Sequence, residues 1–167
     1  MDKAMKFDII VVGGGPAGMM SAIAAAEYGA QVCLLEPNER LGKKLNITGK
    51  GRCNVTNHCT PHEVLQNIPR NGRFLYSAME NHPPKAVMEF LEGEGCPLKT
   101  ERGNRVFPVS DKSQSVLEAL RSAAVKAGVT IRTARAMEMG EIQGAMSSIA
   151  IGVCGLISVV ISLFLTI

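Results

Sequence analysis

The chain contains no tryptophan, and aromatic residues make up only 4% of its 167 positions. Proteins that bind single-stranded nucleic acid stack the bases on aromatic side chains, and this composition supplies few of them. The formal net charge is only +3, so the charge balance does not demand a polyanionic partner either. We therefore expect no nucleic acid partner.

The cysteines lack the spacing of a disulfide framework. They are five in number and form no Cys-X-X-Cys pair, which favours reduced thiols in a cytoplasmic domain. His58, Cys59 and His62 lie near Cys53 in the sequence, but their spacing matches no common zinc pattern, so we predict no metal site. For Cys53 itself, packing or backbone positioning near a ligand is a better interpretation than redox chemistry, because no resolving cysteine is close in sequence.

Near the N-terminus, a glycine-rich turn stands between two apolar runs. Residues 9–18 read IIVVGGGPAG, and Glu36 directly follows Leu34 and Leu35. The order of strand, glycine turn, small-residue helix, second strand and acid is that of a βαβ dinucleotide-binding unit. In such a unit the acid, here Glu36, accepts hydrogen bonds from ribose hydroxyls.

The glycines of this turn and the residues that start the helix have predicted structural roles. Gly13 permits the tight turn out of the strand, and Gly15 lets the backbone approach a pyrophosphate closely. The helix that starts at Pro16 and Ala17 presents free N–H groups and a partial positive charge to the phosphates. Gly18 allows this helix to pack closely against the strand.

The remaining pattern is typical of an α/β protein. Both strands of the βαβ unit are almost continuously apolar, as in a parallel sheet that is covered on both faces. Residues 37–60 lack apolar periodicity and read as a long functional loop. The other predicted elements are short helices at about 62–68, 73–81 and 85–93, extended pieces within 97–109 with a turn at Gly103 and Asn104, a helix at 110–127 and a strand at 129–133.

The loop after Glu36 is basic and rich in glycine. Gly49 and Gly51 would let the backbone approach a ligand. Composition alone is equally consistent with a solvated basic loop. If a diphosphate is bound nearby, five cations are available to it, namely Arg40, Lys43, Lys44, Lys50 and Arg52.

Residues 6 to about 135 resemble the BaiN-like flavoproteins, also described as the aminoacetone-oxidase family of FAD-binding enzymes. The motifs that carry the resemblance are GGGPAG at 13–18, LLE at 34–36, LGKKL at 41–45, TGKGRCNVTN at 48–57, FPVSDK at 107–112 and GVTIRT at 128–133. The loop at 41–57 is the most specific of them.

The resemblance implies a Rossmann-like fold that binds FAD rather than NAD, and an oxidoreductase that uses NAD(P)H in an intact homologue. It assigns no catalytic acid or base to this chain. It places the following residues on or near the flavin dinucleotide: Gly13, Gly15, Pro16, Ala17, Gly18, Glu36, Lys44, Thr48, Gly49, Gly51, Arg52, Cys53 and Asn54.

The family pattern stops near Arg135, before the segments that would enclose the isoalloxazine ring. We therefore expect an incomplete Rossmann-like domain at 1–135, the N-terminal FAD-binding portion of a flavin-dependent oxidoreductase. The alternatives are a non-catalytic, membrane-tethered nucleotide-binding fragment and a truncated gene product.

No charged residue occurs between Ile142 and Ile167. As a helix, residues 149–167 would extend about 29 Å, close to the thickness of a bilayer's hydrocarbon core. This predicts a linker at 136–148, a transmembrane helix at 149–167 in a lipid bilayer, and, from the nearby Arg132 and Arg135, a cytoplasmic N-terminal domain. A buried core helix or an artefactual terminus could also lack charge, and without the anchor the protein would be cytoplasmic.

Overall fold

The computed structural model of the protein describes residues 5–134, so the predicted linker at 136–148 and the apolar segment at 149–167 lie outside the described residues. The described chain divides into two compact units. The first unit comprises residues 5–43 and 124–134, and the second comprises residues 44–123.

In chain order the elements are β1 (Ile9–Val12), α1 (Pro16–Glu27), β2 (Val32–Glu36), β3 (Thr56–Asn57), α2 (Pro61–Gln66), α3 (Tyr76–Asn81), α4 (Pro84–Gly93), β4 (Leu98–Glu101), β5 (Arg105–Pro108), α5 (Ser113–Lys126) and β6 (Thr130–Thr133). Short 3₁₀ segments occupy Leu45–Gly51 and Gly72–Leu75.

The first unit is built on a parallel sheet with the strand order β1-β2-β6. Val11 pairs with Leu34, and Leu34 in turn pairs with Ile131. The central strand β2 is buried, as its continuous apolar sequence predicts. The outer strand β1 differs from that expectation: its apolar side chains are largely accessible, and Ile10 is 56% exposed.

The turn from β1 into α1 depends on glycine at two positions. Gly13 has a φ of +107°, a backbone conformation that residues other than glycine rarely adopt. A Cβ on Gly18 would lie only 1.9 Å from the backbone oxygen of Gly13. The first turn of α1 can therefore lie against the end of β1 only when residue 18 has no side chain.

The second unit contains an antiparallel sheet with the strand order β3-β5-β4. Three residues, 102–104, connect β4 to β5, and two of them, Gly103 and Asn104, have positive φ, which glycine and asparagine adopt more readily than other residues. Helix α2 begins in a capping box, in which Thr60 and Glu63 each accept a backbone N–H of the other.

The prediction that residues 37–60 form a loop was wrong in two places. Leu45–Gly51 forms 3₁₀ turns that are interrupted at Thr48, Gly49 and Lys50, and β3 forms at Thr56–Asn57. Neither element has a local apolar period. β3 exists because it pairs with β5, which lies almost fifty residues further along the chain.

The predicted membrane-anchored location is corrected by the structure. Among residues 5–134, no helix is long and apolar enough to cross a bilayer. The longest, α5, has 14 residues and carries Glu118, Arg121 and Lys126, and at 1.5 Å per residue it would extend only about 21 Å. The segment 149–167, on which the prediction rested, lies outside the described residues.

The two neighbouring glycines Gly15 and Gly18 should respond differently to the same substitution. Gly18→Ala should lower the free energy of unfolding by about 1–3 kcal/mol, because the new methyl group meets the backbone of Gly13. Gly15→Ala should leave stability nearly unchanged, since no atom lies within 4 Å of the new Cβ and the φ of Gly15 is −77°. Urea denaturation of both variants measures the difference, and equal losses would contradict it.

Candidate functional site

The buried carboxylate of Glu36 joins the end of β2 to the glycine turn. Its Oε2 accepts the backbone N–H of Gly14 at 2.7 Å, while its Oε1 accepts the backbone N–H and the side-chain amide of Asn38 at 2.8 and 2.5 Å. The residue is only 6% exposed. A buried carboxylate without such donors would be strongly destabilising, so these bonds fix the shape of the turn.

Gly14 is a structural requirement that the sequence analysis missed. A Cβ at this position would lie 2.3 Å from Leu41 Cδ2 and 3.0 Å from Glu36 Oε2. The backbone oxygen of Gly14 also accepts the N–H of Gly42 at 2.9 Å. The only sequence signal was the fourth glycine of GGGPAG, beyond the three that the dinucleotide-binding motif explains.

The start of α1 presents an open surface beside this turn. Gly15 precedes the helix, and the space where its side chain would stand is empty to 4 Å. Pro16 has no N–H to leave unsatisfied, and the N–H groups of the following first-turn residues, Ala17 and Gly18, have no carbonyl of a preceding helical turn to bond. The arrangement of free donors at a helix N-terminus is suited to a phosphate group.

The six predicted site residues of the first unit therefore lie together, around the carboxyl ends of β1 and β2. They are Gly13, Gly15, Pro16, Ala17, Gly18 and Glu36. In α/β proteins this edge of a parallel sheet is where ligands bind.

The seven predicted site residues of the second unit lie in a loop with an unusual backbone. Four of its residues have positive φ, namely Gly49, Lys50, Gly51 and Cys53. Two hydrogen bonds close the loop, from Arg52 N to Gly49 O at 3.2 Å and from Cys53 N to Thr48 O at 3.1 Å. Left-handed backbone is unfavourable for Lys50 and Cys53, so other contacts must hold it.

Arg52 is the best-anchored side chain of this loop. Its Nε donates to Asp111 Oδ1 at 2.8 Å, its Nη2 bonds to Glu101 Oε1, and its guanidinium carbon lies 4.2 Å from the centroid of the Phe107 ring. Lys99 completes the group, with Nζ 2.7 Å from Asp111 Oδ2 and 3.5 Å from Glu101 Oε1. We call these five residues the Arg52 clamp.

The charges of the clamp stabilise one another. Hydrogen bonds from Arg52 and Lys99 hold the pKa values of the Glu101 and Asp111 carboxyls below their usual range. The same bonds raise the pKa values of Arg52 and Lys99, so all four groups stay charged near neutral pH.

The other predicted residues of the loop divide into buried and exposed groups. Cys53 is buried, and this burial raises the pKa of its thiol, which disfavours the reactive thiolate. Thr48 donates its hydroxyl to Leu45 O at 2.8 Å. Lys44, Gly49 and Asn54 are exposed, and Gly51 is half-buried.

A parallel βαβ unit with a glycine turn, an open helix N-terminus and an acid at the end of the second strand defines a Rossmann dinucleotide-binding domain. The family model of the HI0933-like protein Rossmann domain matches residues 7–153. The chain belongs to this family, which confirms the predicted flavoprotein family, its FAD-binding Rossmann domain and FAD as the family's cofactor.

Two curated relatives illustrate the range of the family. The chain is 37% identical over 112 residues to the 3-dehydro-bile acid delta(4,6)-reductase of Clostridium scindens, a match that covers 66% of this chain and 27% of the relative. It is 28% identical over 128 residues to the ribosomal RNA dihydrouridine synthase of Escherichia coli, covering 76% and 31%. The chain thus spans about a third of the length of these relatives.

Among solved structures, the fold is similar to the 3-ketosteroid-delta4-(5alpha)-dehydrogenase of Rhodococcus jostii. The TM-score is 0.58 at 16% identity, covering 80% of this chain and 39% of that one. At this identity the likeness establishes the fold alone.

The buried hydrogen bonds of Glu36 predict that its charge is important for stability even without a ligand. Glu36→Gln places an amide N–H among N–H donors, so the free energy of unfolding should fall by about 1–3 kcal/mol. Glu39→Gln is the matched control, because Glu39 loses the same charge from an exposed position. Urea denaturation compares the two, and equal effects would refute the importance of the buried bonds.

The clamp also predicts a dependence of stability on pH. Because the folded-state pKa values of Glu101 and Asp111 are lowered, their contribution is complete above the ordinary carboxyl range of about 4 and is lost as the pH falls through the lowered values. The double variant Glu101→Gln/Asp111→Asn should show a shallower loss of stability between about pH 6 and pH 3 than the parent chain. Urea midpoints across this range test the prediction, and parallel curves would contradict it.

Proposed function

We propose that the first unit binds the adenosine diphosphate half of FAD. The observation that carries the proposal is the start of α1, where free N–H donors stand beside the open backbone of Gly15. A pyrophosphate fits this position because its charge complements the helix N-terminus, and no side chain prevents its approach. Gly13 and Gly18 support the site indirectly, since they set the turn that aims the helix.

Glu36 is proposed to bind the adenosine ribose. Its Oε1 already accepts two N–H groups from Asn38, whereas Oε2 accepts only the N–H of Gly14. A carboxylate oxygen has two lone pairs, so Oε2 retains capacity for one hydroxyl. The carboxylate would then hold both the turn and the sugar, which explains why an acid is needed at the end of β2.

The loop residues of the second unit are proposed to lie on or near the flavin dinucleotide as well. This proposal rests on the family motif at 48–57, and the exposure of Lys44, Gly49 and Asn54 supports it. The residues concerned are Lys44, Thr48, Gly49, Gly51, Arg52, Cys53 and Asn54.

For the whole protein we propose a flavin-dependent oxidoreductase that takes its electrons from NAD(P)H. FAD supplies hydride and electron transfer when bound, while the protein contributes binding and orientation. Both curated relatives support a reductive role for the family, since one is named a reductase and the other a dihydrouridine synthase. The proposed layout is a cofactor-binding domain at 1–135, followed by a linker at 136–148 and an apolar helix at 149–167; the family match extends past both of these boundaries, to residue 153.

A ligand titration tests the cofactor proposal. The full chain should bind FAD at least about tenfold more tightly than FMN, which lacks the adenosine half that the first unit is proposed to recognise. Gly15→Ala should weaken FAD binding by a similar factor, because its methyl group occupies the path of the pyrophosphate. Quenching of flavin fluorescence measures both affinities.

Two controls make the titration decisive. Gly93→Ala changes a glycine that also has open space around it, in α4 of the second unit, and should not alter FAD affinity. Equal affinity for FAD and FMN in the parent chain would overturn the proposed recognition of the adenosine half. Normal FAD binding by Gly15→Ala would show that the pyrophosphate does not approach residue 15.

A further inference from the structure

The loop from Thr48 to Asn54 adopts a strained shape that its own sequence does not explain. Glycine accounts for the left-handed backbone at Gly49 and Gly51, but Lys50 and Cys53 have φ values of 57° and 61°. A non-glycine residue pays an energetic penalty in this region, and such strain persists only where the surroundings enforce it. Some contact outside the loop must therefore select this conformation.

The Arg52 clamp is the contact that meets this requirement. Arg52 lies between the glycine segment and Cys53, so fixing its side chain restrains the backbone on both sides. Its guanidinium bonds to Glu101 at the end of β4 and to Asp111 after β5. These anchors lie 49 and 59 residues further along the chain, Glu101 within the β4–β5 hairpin and Asp111 just beyond it.

Phe107 supports the loop from beneath. Its ring is 4% exposed, it underlies the Arg52 guanidinium at 4.2 Å, and its Cε1 would lie 3.3 Å from a Cβ on Gly49. The two motifs TGKGRCNVTN and FPVSDK, which are far apart in sequence, are thus in direct contact. Asp111 itself has a φ of 55°, so left-handed backbone occurs at Asp111 as well as at Gly51 and Cys53, the two neighbours of Arg52.

The cations in and beside the loop differ in whether they are ion-paired. Arg52 is bonded through Nε and Nη2 to two carboxylates, so Glu101 and Asp111 already compensate its positive charge. Lys44 and Lys50 are exposed, and within residues 5–134 neither of them forms an ion pair. An anionic ligand at this loop would therefore meet the two lysines and the backbone, while Arg52 determines where they stand.

We propose that Glu101 and Asp111 are positioning residues, which act through Arg52 to hold the Thr48–Asn54 loop in the shape that meets the cofactor. The proposal deepens the proposed function and rests on it for the identity of the ligand. It assigns Arg52 to the support of the loop rather than to direct phosphate binding.

Amide hydrogen exchange tests the support of the loop without any ligand. In the full chain, Glu101→Gln/Asp111→Asn should speed the exchange of the Arg52 and Cys53 amides at least about tenfold, because the bonds that keep these N–H groups on Gly49 and Thr48 would open more often. Amides of β2 in the first unit should be unchanged. Unchanged exchange in the loop, or an equal rise throughout the chain, would overturn the proposal.

Two further variants separate positioning from charge alone. Lys50→Gln removes a loop cation that is outside the clamp, and it should leave the exchange of the Arg52 and Cys53 amides as in the parent chain. Glu89→Gln removes a carboxylate from an exposed ion pair with Lys85, and it should have no effect on the loop. If either variant mobilised the loop as much as the clamp variant does, net charge would explain the result and the proposal would fail.

Titration with FAD then tests the consequence for the ligand. The clamp variant should bind FAD about five- to tenfold more weakly than the parent chain, while Glu89→Gln should bind it normally. A loop that becomes mobile without any loss of FAD affinity would overturn the positioning role. If the parent chain itself bound no FAD, the proposed function would fail, and the exchange experiment would still decide whether the clamp holds the loop.

Discussion

The buried carboxylate of Glu36 is the constraint on which the cofactor-binding end of the first unit depends. Its charge must be met by N–H donors, and the donors available are those of Gly14 and Asn38. Meeting this requirement brings the turn after β1 against the end of β2. It also leaves no room for a side chain at residue 14, where Leu41 packs. The open start of α1 is a consequence of this arrangement, because the same turn leads directly into the helix.

The two units offer an anion different chemistry. The first presents neutral N–H groups of a helix N-terminus and places no cation beside them in α1. The second carries several cations and commits two of them, Arg52 and Lys99, to ion pairs with Glu101 and Asp111. Exposed ion pairs of this kind contribute modestly to global stability, so the clamp is better understood as a determinant of local shape. The local shape in question is the left-handed backbone on both sides of Arg52, and the Phe107 ring packs against the Arg52 guanidinium there.

The family relation explains the cofactor better than it explains the reaction. The relatives share the FAD-binding domain, yet one is named for a bile acid and the other for ribosomal RNA. A Rossmann domain binds and orients the cofactor, whereas substrate choice depends on residues placed around the reacting end of the flavin. This chain spans about a third of the relatives' length, and the part that it shares with them is the part concerned with the cofactor.

Local patterns were sufficient for the βαβ unit, since Gly13, Gly18 and the apolar run of β2 act through backbone conformation and burial, which are encoded within a few residues. The same reasoning predicted the turn at Gly103 and Asn104. It failed for β3, which has only two residues and requires a distant strand, and it predicted a membrane-anchored location although no helix among residues 5–134 is long and apolar enough to cross a bilayer. The need for glycine at residue 14 and the bonds from Arg52 to Glu101 and Asp111 arise from contacts across 22 to 59 residues. Periodicity and spacing carry no information about such contacts, because folding alone brings these side chains within hydrogen-bonding distance.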